Sequence, residues 1–225
     1  MMRISTAMAG LLMLSDGILR VNPGEAAALP KTLLEYRNVT APTVSWSESV
    51  LIIIDAQREY ETGRLPLSGI HQSAAVIAKL LHAARTHGAP IIHVMQLGKP
   101  GGLFDPSTDN AHSLTEAAAL PGEVIVQKTL PDSFEGTELK SILDKIGRNK
   151  LVIAGYMTHM CVSSTVHTAF NFGYTNFVVR DAVATRDLRS GSNDKVISAS
   201  EINESQLASL KDRFAWIIDS EDILR

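Results

Sequence analysis

The sequence predicts a three-layer α/β/α sandwich around a six-stranded, mainly parallel sheet. Three observations carry that prediction. From Val50 onward, short apolar runs alternate with longer amphipathic stretches, the pattern of parallel strands joined by right-handed helical crossovers. The first run, Val50-Leu51-Ile52-Ile53-Ile54, is continuous and β-branched, as a strand covered on both faces requires. The 225 residues can bury about 70% of their unfolded surface, enough for a core without metal or disulfide staples.

The elements follow in order. Residues 1–45 read as a leader or arm and residues 46–225 as the domain. Arg3 and the mildly apolar stretch Ile4–Leu19 loosely imitate a signal peptide, but Asp16 and Gly17 break the apolar part. After the first strand, His71–His87 reads as a helix with Ala75, Ile77, Leu80, Leu81 and Ala84 inward, ended by Gly88. Ile91–Met95 and Val124–Val126 are the second and third strands. Thr137–Ile146 is a helix closed by Gly147, with Leu139, Ile142, Leu143 and Ile146 inward. Leu151–Ala154 is the fourth strand, Cys161–Phe172 a helix stopped by Gly173, and Asn176–Val179 the fifth strand. Ser205–Arg213 is a helix and Phe214–Ile218 the sixth strand.

Composition excludes several functions. Lys and Arg number 21 against 24 Asp and Glu, a formal charge of −3, which gives no dominant electrostatic grip on nucleic acid or an anionic membrane. No apolar run approaches the ~20 residues of a membrane span. No G-x-G-x-x-G follows the first strand, where the chain reads Asp55-Ala56-Gln57-Arg58-Glu59-Tyr60, and Gly98-Lys99 is followed by Pro100 rather than Ser or Thr. A dinucleotide site and a phosphate-binding P-loop are therefore not expected, and no cofactor is. The single cysteine forms neither an internal disulfide nor a Cys-rich zinc site. It is a small buried hydrophobe or a reactive thiol. A lone thiol suits a reducing compartment, so the cytoplasm is expected, with export as the alternative.

In an open α/β sheet, ligands bind beyond the carboxyl ends of the strands. Asp55 follows the first strand, Lys128 lies two residues after the third, and Cys161 opens a helix after the fourth. Each has a plain structural reading: a turn cap, a solvated lysine, a core thiol. Together they supply proton shuttle, positive charge and nucleophile, with the thiol acidified by a helix amino terminus or a nearby lysine.

These residues resemble the isochorismatase-like cysteine hydrolases. Leu51-Ile52-Ile53-Ile54-Asp55-Ala56-Gln57 is similar to that family's first-strand motif. Lys128 with Ser133-Phe134-Glu135-Gly136-Thr137 is similar to its lysine segment, and Ala154-Gly155-Tyr156-Met157-Thr158-His159-Met160-Cys161-Val162 to its nucleophile turn. The resemblance spans about residues 48–219. It implies a six-stranded parallel sheet and a Cys161–Asp55–Lys128 triad. It also implies a cis peptide at Tyr156–Met157 that aims the Met157 and Cys161 N–H groups at an oxyanion. Nicotinamidases of this superfamily carry an Asp-x-His…His metal site after the second strand, whereas this chain offers there only His93, so neither a metal nor nicotinamide is expected. Isochorismatases break a vinyl ether without needing the cysteine, so its presence favours hydrolysis of a C–N bond.

The expected function is a metal-independent cysteine amidohydrolase acting on a small amide or ureido compound. An ether hydrolase and a catalytically silent binding or assembly member are the alternatives. The resemblance also implies a homo-oligomer whose neighbours help wall the pocket. Gln57 either contacts substrate or stabilises its loop; Phe134 walls the pocket or fills the core; His159 lines the pocket or pairs with Cys161. Asp181 reads as a turn or helix cap.

Overall fold

The computed structural model describes residues 29–224, so the signal-like stretch Ile4–Leu19 lies outside the described residues. The chain divides after Lys31. In the unit that begins at Thr32, a one-turn helix α1 (Leu33–Tyr36) precedes strand β1 (Ser49–Ile54). Residues ahead of β1 are tied to the domain. Arg148 Nη1 donates to the carbonyls of Trp46 and Ser49 at 2.8 and 2.7 Å, and Lys150 Nζ to that of Thr43 at 2.9 Å.

The following elements are α2 (Ile70–Thr86), β2 (Ile91–Gln96), β3 (Val124–Lys128), α3 (Leu139–Ile146) and β4 (Lys150–Tyr156). Then come a π-helical turn (Thr158–Val162), α4 (Ser163–Asn171), β5 (Thr175–Ala184) and a small antiparallel pair, β6 (Leu188–Arg189) and β7 (Val196–Ile197). The described chain closes with α5 (Ala199–Arg213), β8 (Trp216–Ile218) and α6 (Glu221–Leu224). The main sheet has six strands in the order β3-β2-β1-β4-β5-β8, every pair parallel.

Both faces are covered, which is why β1 is apolar at every residue from Val50 to Ile54. Leu51 and Ile53 pack with Ile77, Leu80 and Leu81 of α2, while Val50, Ile52 and Ile54 pack with residues of α3, α4 and α5. Each fully buried Ile or Leu contributes about 1.5–3 kcal/mol. Register brings the carboxyl ends together: Ile54 pairs with Val94 and with Gly155, and Gln96 pairs with Lys128. Gly155 is required here. Its φ is +116°, and a Cβ would stand 2.0 Å from the Ile54 carbonyl oxygen, so any side chain would push β4 off the end of β1.

Several boundaries differ from expectation. Lys128 ends β3 rather than following it, because the apolar run fails at Gln127 while the ladder continues. β5 runs on to Ala184. Arg180 and Asp181 break the apolar run, but burial resumes at Ala182. Asp181 is thus inside a strand, where it accepts from Ser220 N and Oγ at 2.9 and 2.6 Å, just ahead of α6. α5 starts at Ala199, nucleated by a capping box between Ser198 and Glu201. α3 starts two residues later than expected because the Thr137 hydroxyl turns back to the Ser133 carbonyl at 2.6 Å. In α2, Ala74 faces inward and Ala75 is exposed.

Candidate active site

Asp55 is the first residue past β1 and adopts φ +48°, a conformation Asp tolerates better than most residues. Its N–H donates to the Val94 carbonyl at 2.9 Å, which anchors the bend to β2 and turns the side chain into the sheet end. Lys128 reaches the same point from β3. Its ammonium lies 2.7 Å from Asp55 Oδ2, with both side chains fully buried. The ammonium donates to Gln96 Oε1 at 2.7 Å and to the Leu130 carbonyl at 3.1 Å. Three partners for three N–H donors leave it fixed in position. Beyond this ion pair, the Asp55 carboxylate interacts with the Cys161 side chain and the Gln96 backbone.

Cys161 is buried at 5% exposure and interacts with both Asp55 and Lys128. It sits inside the π-helical turn rather than at the first residue of α4. The Met157 carbonyl collects the N–H groups of Met160 and Val162 at 3.0 and 3.2 Å, and the Tyr156–Met157 peptide is cis. Turns of this kind recur at functional sites. Thr158 Oγ1 pins the turn, lying 3.1 Å from the Ala184 carbonyl oxygen and 2.6 Å from Asn203 Oδ1, which share its one proton.

The electrostatics correct one expectation. Burial first, then the facing Asp55 carboxylate, pushes the Cys161 thiol up to about 12. The expected acidification fails because desolvation outweighs Lys128, whose charge is already committed to Asp55. Burial also pushes the Asp55 carboxyl upward, against the pull of Lys128. A thiol held this high stays protonated near neutral pH. Such a thiol needs a base to become a nucleophile, and Asp55 is within its reach.

The other candidates separate. The Gln57 side chain is spent on its loop: Nε2 donates to the carbonyls of Gln96 and Ala111 at 3.0 and 2.8 Å, and Oε1 accepts from Gln96 N at 2.8 Å. Phe134 is buried in the same apolar cluster as Cys161, its ring 5.3 Å from that of Phe172. His159 is half-buried, with Nδ1 2.5 Å from Thr185 Oγ1. Burial and then Arg186 push its pKa down. His93 lies within β2, its Nε2 paired with Glu123 at 2.9 Å. Among the described residues no group of three or more His, Cys, Asp or Glu is arranged to hold a metal.

Gln96 and Tyr60 were not legible as site residues. Gln96 stands at the carboxyl end of β2, in register with Lys128, and that rim position is the signal that would have found it. Tyr60 is buried, and its hydroxyl feels both Asp55 and Cys161.

The isochorismatase-domain family profile matches residues 49–222. A secreted isochorismatase effector of Verticillium dahliae is 38% identical over 82% of this chain and 95% of its own length. The ureidoacrylate amidohydrolase RutB of Variovorax paradoxus is 25% identical over 80% of this chain and 81% of its own. The crystal structure of an isochorismatase from Pseudomonas putida superposes with a TM-score of 0.83 at 39% identity, covering 87% of this chain and all of that one. With its parallel α/β sheet and this match over most of its length, the chain belongs to the isochorismatase-like family of hydrolases.

Proposed function

We propose that the protein is a metal-independent cysteine amidohydrolase that cleaves a C–N bond of a small amide or ureido compound. The observation that carries this reading is the convergence of Cys161, Asp55 and Lys128 at one buried point. The amidohydrolase RutB among its relatives supports the bond type. The engagement of His93 with Glu123 argues against a histidine metal site after β2.

In the proposed cycle Asp55 takes the thiol proton as Cys161 Sγ bonds to the carbonyl carbon, and the carbonyl electron pair moves onto oxygen. The Met157 and Cys161 N–H groups stabilise that oxyanion, each worth about 3–4 kcal/mol in comparable sites. Collapse breaks the C–N bond, and the departing nitrogen takes the proton from Asp55. The thioester is then hydrolysed. Asp55 accepts a proton from the attacking water, and the C–S bond breaks. The thiolate regains its proton from Asp55, and the acid is released. Lys128 holds Asp55 in place and balances its charge.

The occupant is a small molecule, and no cofactor takes part. A cytoplasmic location belongs to the same reading and is supported by the unpaired buried thiol. Assembly into a homo-oligomer belongs to the same reading. Ammonia or amine release from a panel of small amides and ureides tests the function. Loss of turnover in both Cys161→Ala and Asp55→Asn supports it, and retention in either overturns it.

A second reading, hydrolysis of an enol ether, is favoured by the isochorismatase named among the relatives. It differs in one outcome: Cys161→Ala would then keep most of its turnover.

A further inference from the structure

A cavity of about 550 Å³ lies behind the site, on the other face of the sheet. Ile53 faces α2, and His93 and Ile125 stand in register beside it. Side chains alternate along a strand, so Met95 and Gln127 share that face. Gln96 and Lys128 point to the opposite one, where they meet at 2.7 Å. α2 covers the middle of the face, and the corner over β2 and β3 is roofed instead by the chain between those strands. Met95 and Ile125 form the floor of the cavity, and Leu97, Pro106, Ala111 and Ala119 its walls. None of Asp55, Lys128 and Cys161 lines it.

The lining suits a small, uncharged ligand. The volume falls within the range of about 300–1,000 Å³ usual for small-molecule pockets. Apolar side chains dominate, and Ile125 stays 57% exposed. No Asp, Glu, Lys or Arg lines the cavity, so a charged group entering it would lose water without gaining a partner. The Ser113 hydroxyl reaches only the Met95 thioether, a weak acceptor, at 3.5 Å. It is left to meet a polar group of an occupant.

The same wall is bonded to the loop that follows Asp55. Arg58 N donates to the His112 carbonyl at 2.9 Å and Leu114 N to the Ala56 carbonyl at 2.8 Å. Gln57 Nε2 donates to the Ala111 carbonyl at 2.8 Å. The Gln57 amide also holds both backbone groups of Gln96, whose side chain accepts from Lys128. A shift of residues 111–113 therefore reaches the Lys128 ammonium through two side chains.

We propose that this cavity is an effector site for an uncharged small molecule with an apolar body and one hydrogen-bonding group. Its occupancy acts on Cys161 through Gln57, Gln96 and Lys128. Binding there does not depend on the hydrolase reading above.

The test uses the full chain and needs no turnover. The probe is N-phenyl-1-naphthylamine, an uncharged fluorophore that brightens on leaving water. Its partner, 8-anilino-1-naphthalenesulfonate, is the same framework with a sulfonate. The wild type should bind the uncharged probe saturably, and the sulfonate at least about tenfold more weakly. Absent binding, or a smaller preference, overturns the proposal. Ala119→Trp fills the cavity and should weaken the probe at least about tenfold; a smaller loss places the probe elsewhere and overturns it. Should Ala119→Trp fail to fold, Ile125→Trp on the exposed edge strand serves instead. Saturating probe should change the rate at which iodoacetamide alkylates Cys161 by at least about threefold, near the lower end of ordinary coupling between sites. The change should vanish in the tryptophan variant, and a smaller or persistent change overturns the effector role. Probe affinity that falls as protein concentration rises would assign the face to a second copy and overturn the proposal. Retained turnover in Cys161→Ala would sink the hydrolase reading and leave these titrations untouched.

Discussion

The Lys128 ammonium sits 2.7 Å from the Asp55 carboxylate, with neither side chain exposed. Two charges taken out of water hold each other in place, and removing one strands the other. Lys128→Met should therefore destabilise the fold by about 3–5 kcal/mol. The double variant Lys128→Met, Asp55→Asn should recover most of that loss. Urea unfolding of the wild type, both single variants and the double variant measures the coupling. Additive losses would mean that the pair is not coupled.

The pH dependence of catalysis follows from the same burial. A general base must be ionised to accept a proton. Burial pushes Asp55 upward, so kcat/KM should fall as the pH drops through a pKa above the ordinary carboxylate value of about 4. The pH–rate profile on one good substrate shows this directly. An acid limb at or below the ordinary range contradicts the assignment.

Cys161 makes stability pH-dependent at the other end. The thiol is pushed up to about 12 in the fold, against about 8.5 in an unfolded chain. The unfolded state therefore loses its proton first. The stabilisation is fully present below the unfolded value and is lost as the pH rises from there toward the folded value. The wild type should lose stability between about pH 8 and about pH 10.5 more steeply than Cys161→Ala does. Unfolding free energies of the two proteins at both pH values check the sign.

Glu123 works in the acid direction. It accepts Arg85 Nε and Nη2 at 2.7 and 3.0 Å and Leu120 N at 2.8 Å, and it pairs with His93 Nε2 at 2.9 Å. Arg85 is the largest influence holding its carboxyl down at about 2, from 4.5. Its stabilisation is present above the unfolded pKa and lost as the pH falls through that window. Arg85→Ala should cost about 2 kcal/mol at neutral pH and flatten the acid dependence. Chemical unfolding at neutral and acid pH measures both.

Gln57 ties the loop after β1 to β2 through three hydrogen bonds to the backbone. Two of these hold Gln96, the residue that accepts from Lys128. Gln57→Ala should cost about 2–4 kcal/mol from the groups left unpaired. It should also lower kcat more than it raises KM, because Lys128 loses its support. An unchanged kcat in a folded variant would assign Gln57 to the loop alone.

The rim residues Asp55, Lys128 and Cys161 were legible because each stands at or just past a short apolar run, and strand ends in a parallel sheet converge. What the sequence hid has physical causes. Arg180 and Asp181 interrupt the apolar run of β5, so the strand reads as ending at Val179 and Arg186 falls in an apparent loop. In fact β5 runs on to Ala184, two residues short of Arg186. Gln96 carries no reactive group, and its importance lies in the register that sets it beside Lys128. The thiol's elevated pKa was not legible, since desolvation depends on how completely Cys161 is buried, a property of the packed structure.

In the proposed function Cys161 performs covalent chemistry on a C–N bond. Ammonia or amine release by purified wild-type protein and Cys161→Ala, on the substrate a small amide and ureide screen identifies, tests it most directly. The wild type should turn over, and the variant should be slower by at least about a thousandfold, as loss of a nucleophile requires. Turnover retained within about tenfold in a folded Cys161→Ala protein would contradict it.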